Sequence, residues 1–226
     1  MDKYEIGIRL GGYPKKYLKA LTCEISKKFQ IKKNKKIVPH LNFLRPFTTN
    51  NETELIENFG KTLSKYNQLI TYTLEGFGTF ENKEKVFYGK IKSNPQIENM
   101  INDLEKSLEE NINFINPKIK LPEEKQKINL HCSIISKGVN KYFSEIDYFL
   151  NKQKFSKNIT HPLLRVYLLR NKFILREFDF YLNENLDEWD SMNSFIFDRT
   201  EKAFKEKTGF EITKDGLLLP VPESFQ

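Results

Sequence analysis

Apolar positions change their period several times along the first eighty residues, and each change predicts a different element. Tyr4 to Leu10 alternates and ends at Gly11-Gly12, the pattern of a strand running into a turn. Pro14 then suits the first turn of a helix. Tyr17, Leu21, Ile25 and Phe29 follow at four-residue spacing and so share one helical face. A basic loop, Lys32 to Lys36, leads into Ile37 to Phe47, which reads as one short apolar strand closed by Pro46. Asn51 is placed to cap a helix whose apolar face is Leu55, Phe59, Leu63 and Tyr66.

The same alternation of strand and helix continues. Leu69 to Phe80 and Lys85 to Lys92 predict two strands joined by the turn Glu81-Asn82-Lys83-Glu84. Asn94-Pro95 opens a helix with Ile97, Ile101, Leu104 and Leu108 on one side, and Asn116-Pro117 breaks the chain. Ile128 to Ile135 reads as a short strand and Tyr142 to Leu150 as a short amphipathic helix. Leu163 to Leu169 and Phe173 to Leu182 predict a hairpin about Arg170-Asn171-Lys172. Asp198 suits the cap of a last helix that Gly209 ends, and the tail from Glu211 is extended. Trp189 reads as a packing anchor. No linker or low-complexity segment divides the chain. The order of elements is roughly one unit used twice, in pattern and not in residue identity.

Three histidines stand out against this pattern, because two of them lie inside short apolar strands: Pro39-His40-Leu41-Asn42-Phe43-Leu44 and Asn129-Leu130-His131-Cys132-Ser133-Ile134. Alternate strand residues point to the same side. His40 therefore shares a face with Asn42, and His131 with Ser133, while Leu41, Phe43, Leu130, Cys132 and Ile134 face a core. A lone strand histidine is usually structural, and His161, which precedes Pro162 without a partner motif, is read that way. Two matched units invite a different reading. Opening a phosphodiester needs a base to activate the nucleophile and an acid to protonate the leaving oxygen, and imidazole serves both roles. A hydroxyl or amide two residues on can donate to a phosphate oxygen.

Composition narrows the setting. The 226 residues carry 38% hydrophobic and 30% charged side chains, a globular mixture with a sizeable core. The net charge of +7 favours an anionic partner, although the Lys15-Lys16, Lys27-Lys28, Lys32-Lys33 and Lys35-Lys36 pairs on their own read as a solvated surface. Cys23 and Cys132 form neither a CxxC pair nor a metal-ligand set, which fits a reduced, cytoplasmic setting. The acidic stretch from Glu184 to Asp190, with Asp179 before it, lacks metal-ligand spacing. There is no apolar signal core at the N-terminus and no apolar run of the ~18 residues that a membrane span needs.

The paired His-x-polar motifs, half a chain apart, resemble the signature of the 2H phosphoesterases. Pro39 to Phe47 is similar to the first motif of the 2′-5′ RNA ligase-like branch, with its Pro-Phe ending. Leu74-Glu75-Gly76-Phe77-Gly78-Thr79-Phe80 with Val86-Phe87-Tyr88 resembles the hairpin after it. Leu168 to Asp179 resembles the later hairpin. The first motif departs from the family in carrying Asn42 where Thr or Ser is usual.

The resemblance implies a single bilobal α+β domain over residues 1–226. Its two lobes are related by a pseudo-twofold, each an antiparallel sheet backed by helices, with one motif strand in each and a cleft between them. It implies His40 and His131 as catalytic residues and Asn42 and Ser133 as phosphate-binding residues, with no metal and no cofactor. Arg45, Tyr13, Arg165 and Tyr167 are the candidate substrate contacts. The expected partner is an RNA or nucleotide with a 2′,3′-cyclic phosphate or a 2′-5′ linkage, with no membrane association, and the expected unit is a monomer. The expected reaction is the opening of a cyclic phosphate to a 2′-phosphate, or 2′-5′ ligation. Asn42 keeps an alternative open, a catalytically weak or inactive RNA- or nucleotide-binding protein.

Overall fold

The computed structural model describes residues 1–31, 38–81, 85–115, 130–136, 138–153 and 159–221. The expected basic loop at Lys32 to Lys36 and the break at Asn116-Pro117 lie outside them. So do Asn82 to Glu84 of the expected turn and the first two residues of the strand expected from Ile128.

The chain is α+β, with its motifs on two antiparallel sheets. The first half of the larger sheet comes from β1 (Tyr4–Arg9), β2 (His40–Asn42) and β3 (Phe47–Thr49), and the rest from β6 (Ile112–Phe114), β9 (Arg165–Arg170), β10 (Phe173–Asp179) and β11 (Glu184–Leu186). Its order is β11-β10-β9-β1-β3-β6, with β2 also beside β1. The smaller sheet runs β7-β5-β4-β8, from β4 (Thr71–Glu81), β5 (Lys85–Lys92), β7 (His131–Ile135) and β8 (Ile159–Pro162). His40 thus belongs to one sheet and His131 to the other. The two sheets are unequal, and the chain passes back and forth between them instead of completing one lobe before the next.

Helices cover the apolar faces. In α2 (Glu52–Leu63) the Asn51 side chain accepts from Glu54 N at 3.2 Å, satisfying one of the open amides at the helix start. Leu55, Phe59 and Leu63 are then fully buried on one stripe. In α3 (Pro95–Leu108) Asn94 accepts from Ile97 N at 2.9 Å, and the proline occupies a position whose missing N–H costs nothing. These two helices pack on each other beside the larger sheet. The smaller sheet is backed by α1 (Gly12–Lys28), and α4 (Phe143–Asn151) meets its end through Phe29 and Phe149. The buried stripe of α1 is Pro14, Leu18, Leu21 and Ile25. The expected stripe is therefore rotated: Leu18 takes the seam, while Tyr17 and Phe29 only flank it.

Other boundaries differ from expectation for local reasons. The single strand expected over Ile37 to Phe47 is broken: β2 ends at Asn42, and Pro46, which has no N–H for a ladder, separates it from β3. The last helix starts earlier than an Asp198 cap allows. It is α6 (Ser194–Thr208), capped by Asn193, whose side chain accepts from Phe195 N at 3.0 Å. Gly209 ends it at φ +70°. Ahead of it lies α5 (Glu188–Met192), and Trp189 within α5 is 80% exposed, so it anchors nothing. The tail forms the hairpin β12 (Phe210–Ile212) and β13 (Leu218–Pro220). No helix among the described residues is long and apolar enough to cross a membrane.

Candidate functional site

β2 keeps the expected alternation: Leu41 is buried, while His40 and Asn42 face the other way. Its register on β1 pairs Arg9 with His40 and Gly7 with Asn42, and β9 on the far side of β1 pairs Tyr167 with Gly7. Opposed residues of an antiparallel ladder share a face. The face that carries His40 and Asn42 therefore also carries Arg9 and Tyr167. A Cβ on Gly7 would lie 2.0 Å from Leu41 O and 2.9 Å from the Tyr167 hydroxyl. Only glycine lets Tyr167 lean across β1, where its hydroxyl donates to Asn42 Oδ1 at 3.4 Å. This occupies the acceptor end of the Asn42 amide and leaves the NH2 end as a donor.

The His40 ring is oriented by a carbonyl. Its Nδ1 lies 2.9 Å from Val38 O, which can only accept, so Nδ1 carries the proton and Nε2 is left as the acceptor nitrogen of the ring. The second motif mirrors the first in burial: His131 and Ser133 face outward and Cys132 is buried. Its register on β5 sets Lys90 against His131 and Tyr88 against Ser133. The His131 ring meets Phe80 edge-on at 4.8 Å between centroids and Tyr88 at 5.3 Å. These rings limit its rotation and give this half of the site an aromatic wall.

The two motif strands touch. The His40 backbone hydrogen-bonds to the Cys132 thiol, which burial pushes up to about 12. A buried thiol held neutral in this way belongs to the seam between the sheets and not to the chemistry.

The remaining candidates are placed as follows. Tyr167 is buried on the motif face, and its phenol is pushed upward chiefly by burial. Arg165 is 9% exposed and committed to protein partners: Asp179 Oδ2 at 2.8 Å, Glu177 Oε2 at 3.4 Å and the Thr200 hydroxyl at 2.6 Å. Arg45 stacks over the Phe114 ring at 4.2 Å. Tyr13 is exposed and stacked on Tyr17. His161 is buried, with Nδ1 donating to Pro162 O at 2.8 Å.

Two residues on these faces went unread in the sequence. Arg9 lies beside His40 and is held by Glu177 at 2.7 Å. Lys90 lies beside His131. Each stands at the right parity in its own strand, Arg9 with Gly7 and Lys90 with Tyr88, and that parity was the available signal. Among the described residues, no group of three or more His, Cys, Asp or Glu side chains is arranged to hold a metal ion.

A search of curated protein sequences finds no match. Among solved structures, that of Kluyveromyces marxianus Usb1 with uridine monophosphate superposes with a TM-score of 0.45 at 10% identity, covering 76% of this chain and 96% of that one. Residues 17–172 match the 2′-5′ RNA ligase superfamily, a span that contains both histidine strands, the β4–β5 hairpin between them, and β9. The chain belongs to the 2′-5′ RNA ligase superfamily of 2H phosphoesterases.

Proposed function

We propose that this protein is a metal-independent phosphodiesterase that opens 2′,3′-cyclic phosphates of RNA or nucleotides to 2′-phosphates. The observation that carries the reading is the meeting of two strands from two sheets, each presenting a histidine and a hydrogen-bond donor two residues on. Water attacks phosphorus as one imidazole takes its proton. The bond from phosphorus to the 3′ oxygen breaks, and the other imidazole protonates that oxygen. A 2′-phosphate and a 3′-hydroxyl result. A 5′-hydroxyl in place of water would yield a 2′-5′ linkage with the same proton transfers, which is the ligase form of the reaction. Asn42 Nδ2, Ser133 Oγ, Arg9 and Lys90 supply donors and positive charge for the non-bridging oxygens.

The test uses an RNA oligonucleotide ending in a 2′,3′-cyclic phosphate, with EDTA present. Wild type is expected to leave the strand ending in a 2′-phosphate and a 3′-hydroxyl, and His40→Ala and His131→Ala to lose about 10²–10⁴-fold in rate. Turnover that survives in both variants overturns the two-histidine mechanism. Binding of the oligonucleotide without turnover by wild type favours the alternative of a nucleotide-binding protein, for which Asn42 in place of the family's Thr or Ser is the supporting feature.

A further inference from the structure

The family match ends at residue 172, and the chain beyond it builds one wall of a cavity of about 810 Å³. The opposite wall is the end of β1 and the start of α1. The tail is fastened there by Tyr13 N donating to Gly216 O at 3.0 Å and by Lys16 Nζ donating to Lys214 O at 2.6 Å. The volume lies within the range of small-molecule and nucleotide sites. Arg9 and Val38 line it, so it opens directly beside His40: Arg9 is the ladder partner of His40, and Val38 holds the His40 ring.

Its charge is unbalanced. Arg9, Lys15, Lys16 and Lys214 line the cavity against Glu177 and Glu201, and the fifth cation of the lining, Arg165, is matched by Asp179 behind it. Glu177 is already bound by both Arg9 and Arg165. Lys15 is half-buried, and no carboxylate pairs with it among the described residues. Its ammonium is pushed downward first by burial and then by two cations, Lys19 and Arg9. A half-buried cation facing other cations is a standing cost that an incoming anion would remove. Across from it, the Phe197 ring is 40% exposed at the cavity wall, an apolar surface fit for a base.

Resting on the phosphodiesterase reading, we propose that this cavity is the subsite for the nucleotide next to the reacting one, with Lys15 taking its internucleotide phosphate and Phe197 its base. The residues past 172 then make the enzyme prefer a strand end over a free nucleotide.

The experiment compares kcat/KM for a nucleoside 2′,3′-cyclic monophosphate and a dinucleotide ending in a 2′,3′-cyclic phosphate. Wild type is expected to favour the dinucleotide by about tenfold or more, the worth of one charge-assisted contact. Lys15→Gln and Phe197→Ala are expected to bring that ratio towards one, mainly through KM. Lys61→Gln, the same charge change at an exposed position of α2 away from the cavity, is expected to keep it. No preference in wild type, or a preference that survives both cavity variants, overturns the subsite. Absence of turnover on either substrate counts against the phosphodiesterase reading instead. Calorimetric binding of a dinucleotide ending in a 2′-phosphate against a nucleoside 2′-monophosphate then decides the subsite: equal affinities overturn it, and a dinucleotide advantage lost in Lys15→Gln supports it.

Discussion

His161 is expected to make the protein lose stability between pH 6.5 and pH 4, and the loss can be sized from its surroundings. The ring is 3% exposed. Nδ1 donates to Pro162 O at 2.8 Å, and Nε2 has no hydrogen-bond partner among the described residues. Nε2 lies over Gly11 and Gly12: a Cβ on Gly12, whose φ is +47°, would sit 2.4 Å from it. A proton on Nε2 would therefore place a charge where nothing accepts it, and burial lowers the imidazole from 6.5 to about 4. The unfolded chain takes up that proton near 6.5 and the folded chain only near 4. Stability is thus intact above 6.5, falls as pH drops through the window, and levels off below 4. At 1.36 kcal/mol per pH unit the full span is about 3 kcal/mol. Urea unfolding of wild type and His161→Gln at half-unit steps from pH 7.5 to 4 measures it, because the other titrating groups cancel in the difference. The two curves are expected to run parallel above pH 6.5 and then to converge or cross as wild type loses its share. A difference independent of pH would refute the argument.

Three further outcomes are expected. Asp179→Ala strips the buried Arg165 of its closest carboxylate and also removes the acceptor of Tyr181 N and Leu182 N, so it should cost about 3–5 kcal/mol in denaturant unfolding, whereas Thr200→Val should cost about 1–3 kcal/mol. Phe59→Ala, in the seam between α2 and α3, should cost about 3–5 kcal/mol in the same assay while the KM of the surviving folded enzyme stays put. Tyr167→Phe frees the Asn42 amide to turn; given the 3.4 Å bond it loses, kcat/KM on a cyclic phosphate should fall about two- to fivefold with stability changed little, and an unchanged rate would show that Asn42 is held by other means.

The motif strands were legible because a strand only three residues long still alternates, and His-Leu-Asn and His-Cys-Ser each put the polar pair opposite an apolar residue. Capped helices were legible for a similarly local reason, since Asn51 and Asn94 stand three residues before the amides they accept from. What stayed hidden is held by partners far along the chain. β6 and β8 are short and exist as strands because Thr49 pairs with Ile112 and Thr71 with Pro162. Nothing within Ile112 to Phe114 announces that. Arg165 looks like a charge bound for solvent or ligand until Glu177, Asp179 and Thr200 arrive from 12, 14 and 35 residues away. Trp189 runs against its expectation because a lone large ring is usually buried, and here α5 turns it outward. Arg9 is hidden in the same way, since its neighbour His40 comes to it only through the pairing of β1 with β2.

The position of β1 has a consequence for how the protein is made. β1 is synthesised well before β9, which forms one of its two flanks, so Tyr4 must wait for Arg170. At a synthesis rate of about 5–20 residues per second, that wait is on the order of ten seconds or longer. During it the nascent chain holds a strand with one open edge, the kind of surface that pairs with the wrong neighbour. His40 can find its place on β1 early, but Tyr167 and the cavity wall come last. A chain interrupted before β9 would therefore carry both histidines on an unfinished sheet with an open edge prone to association.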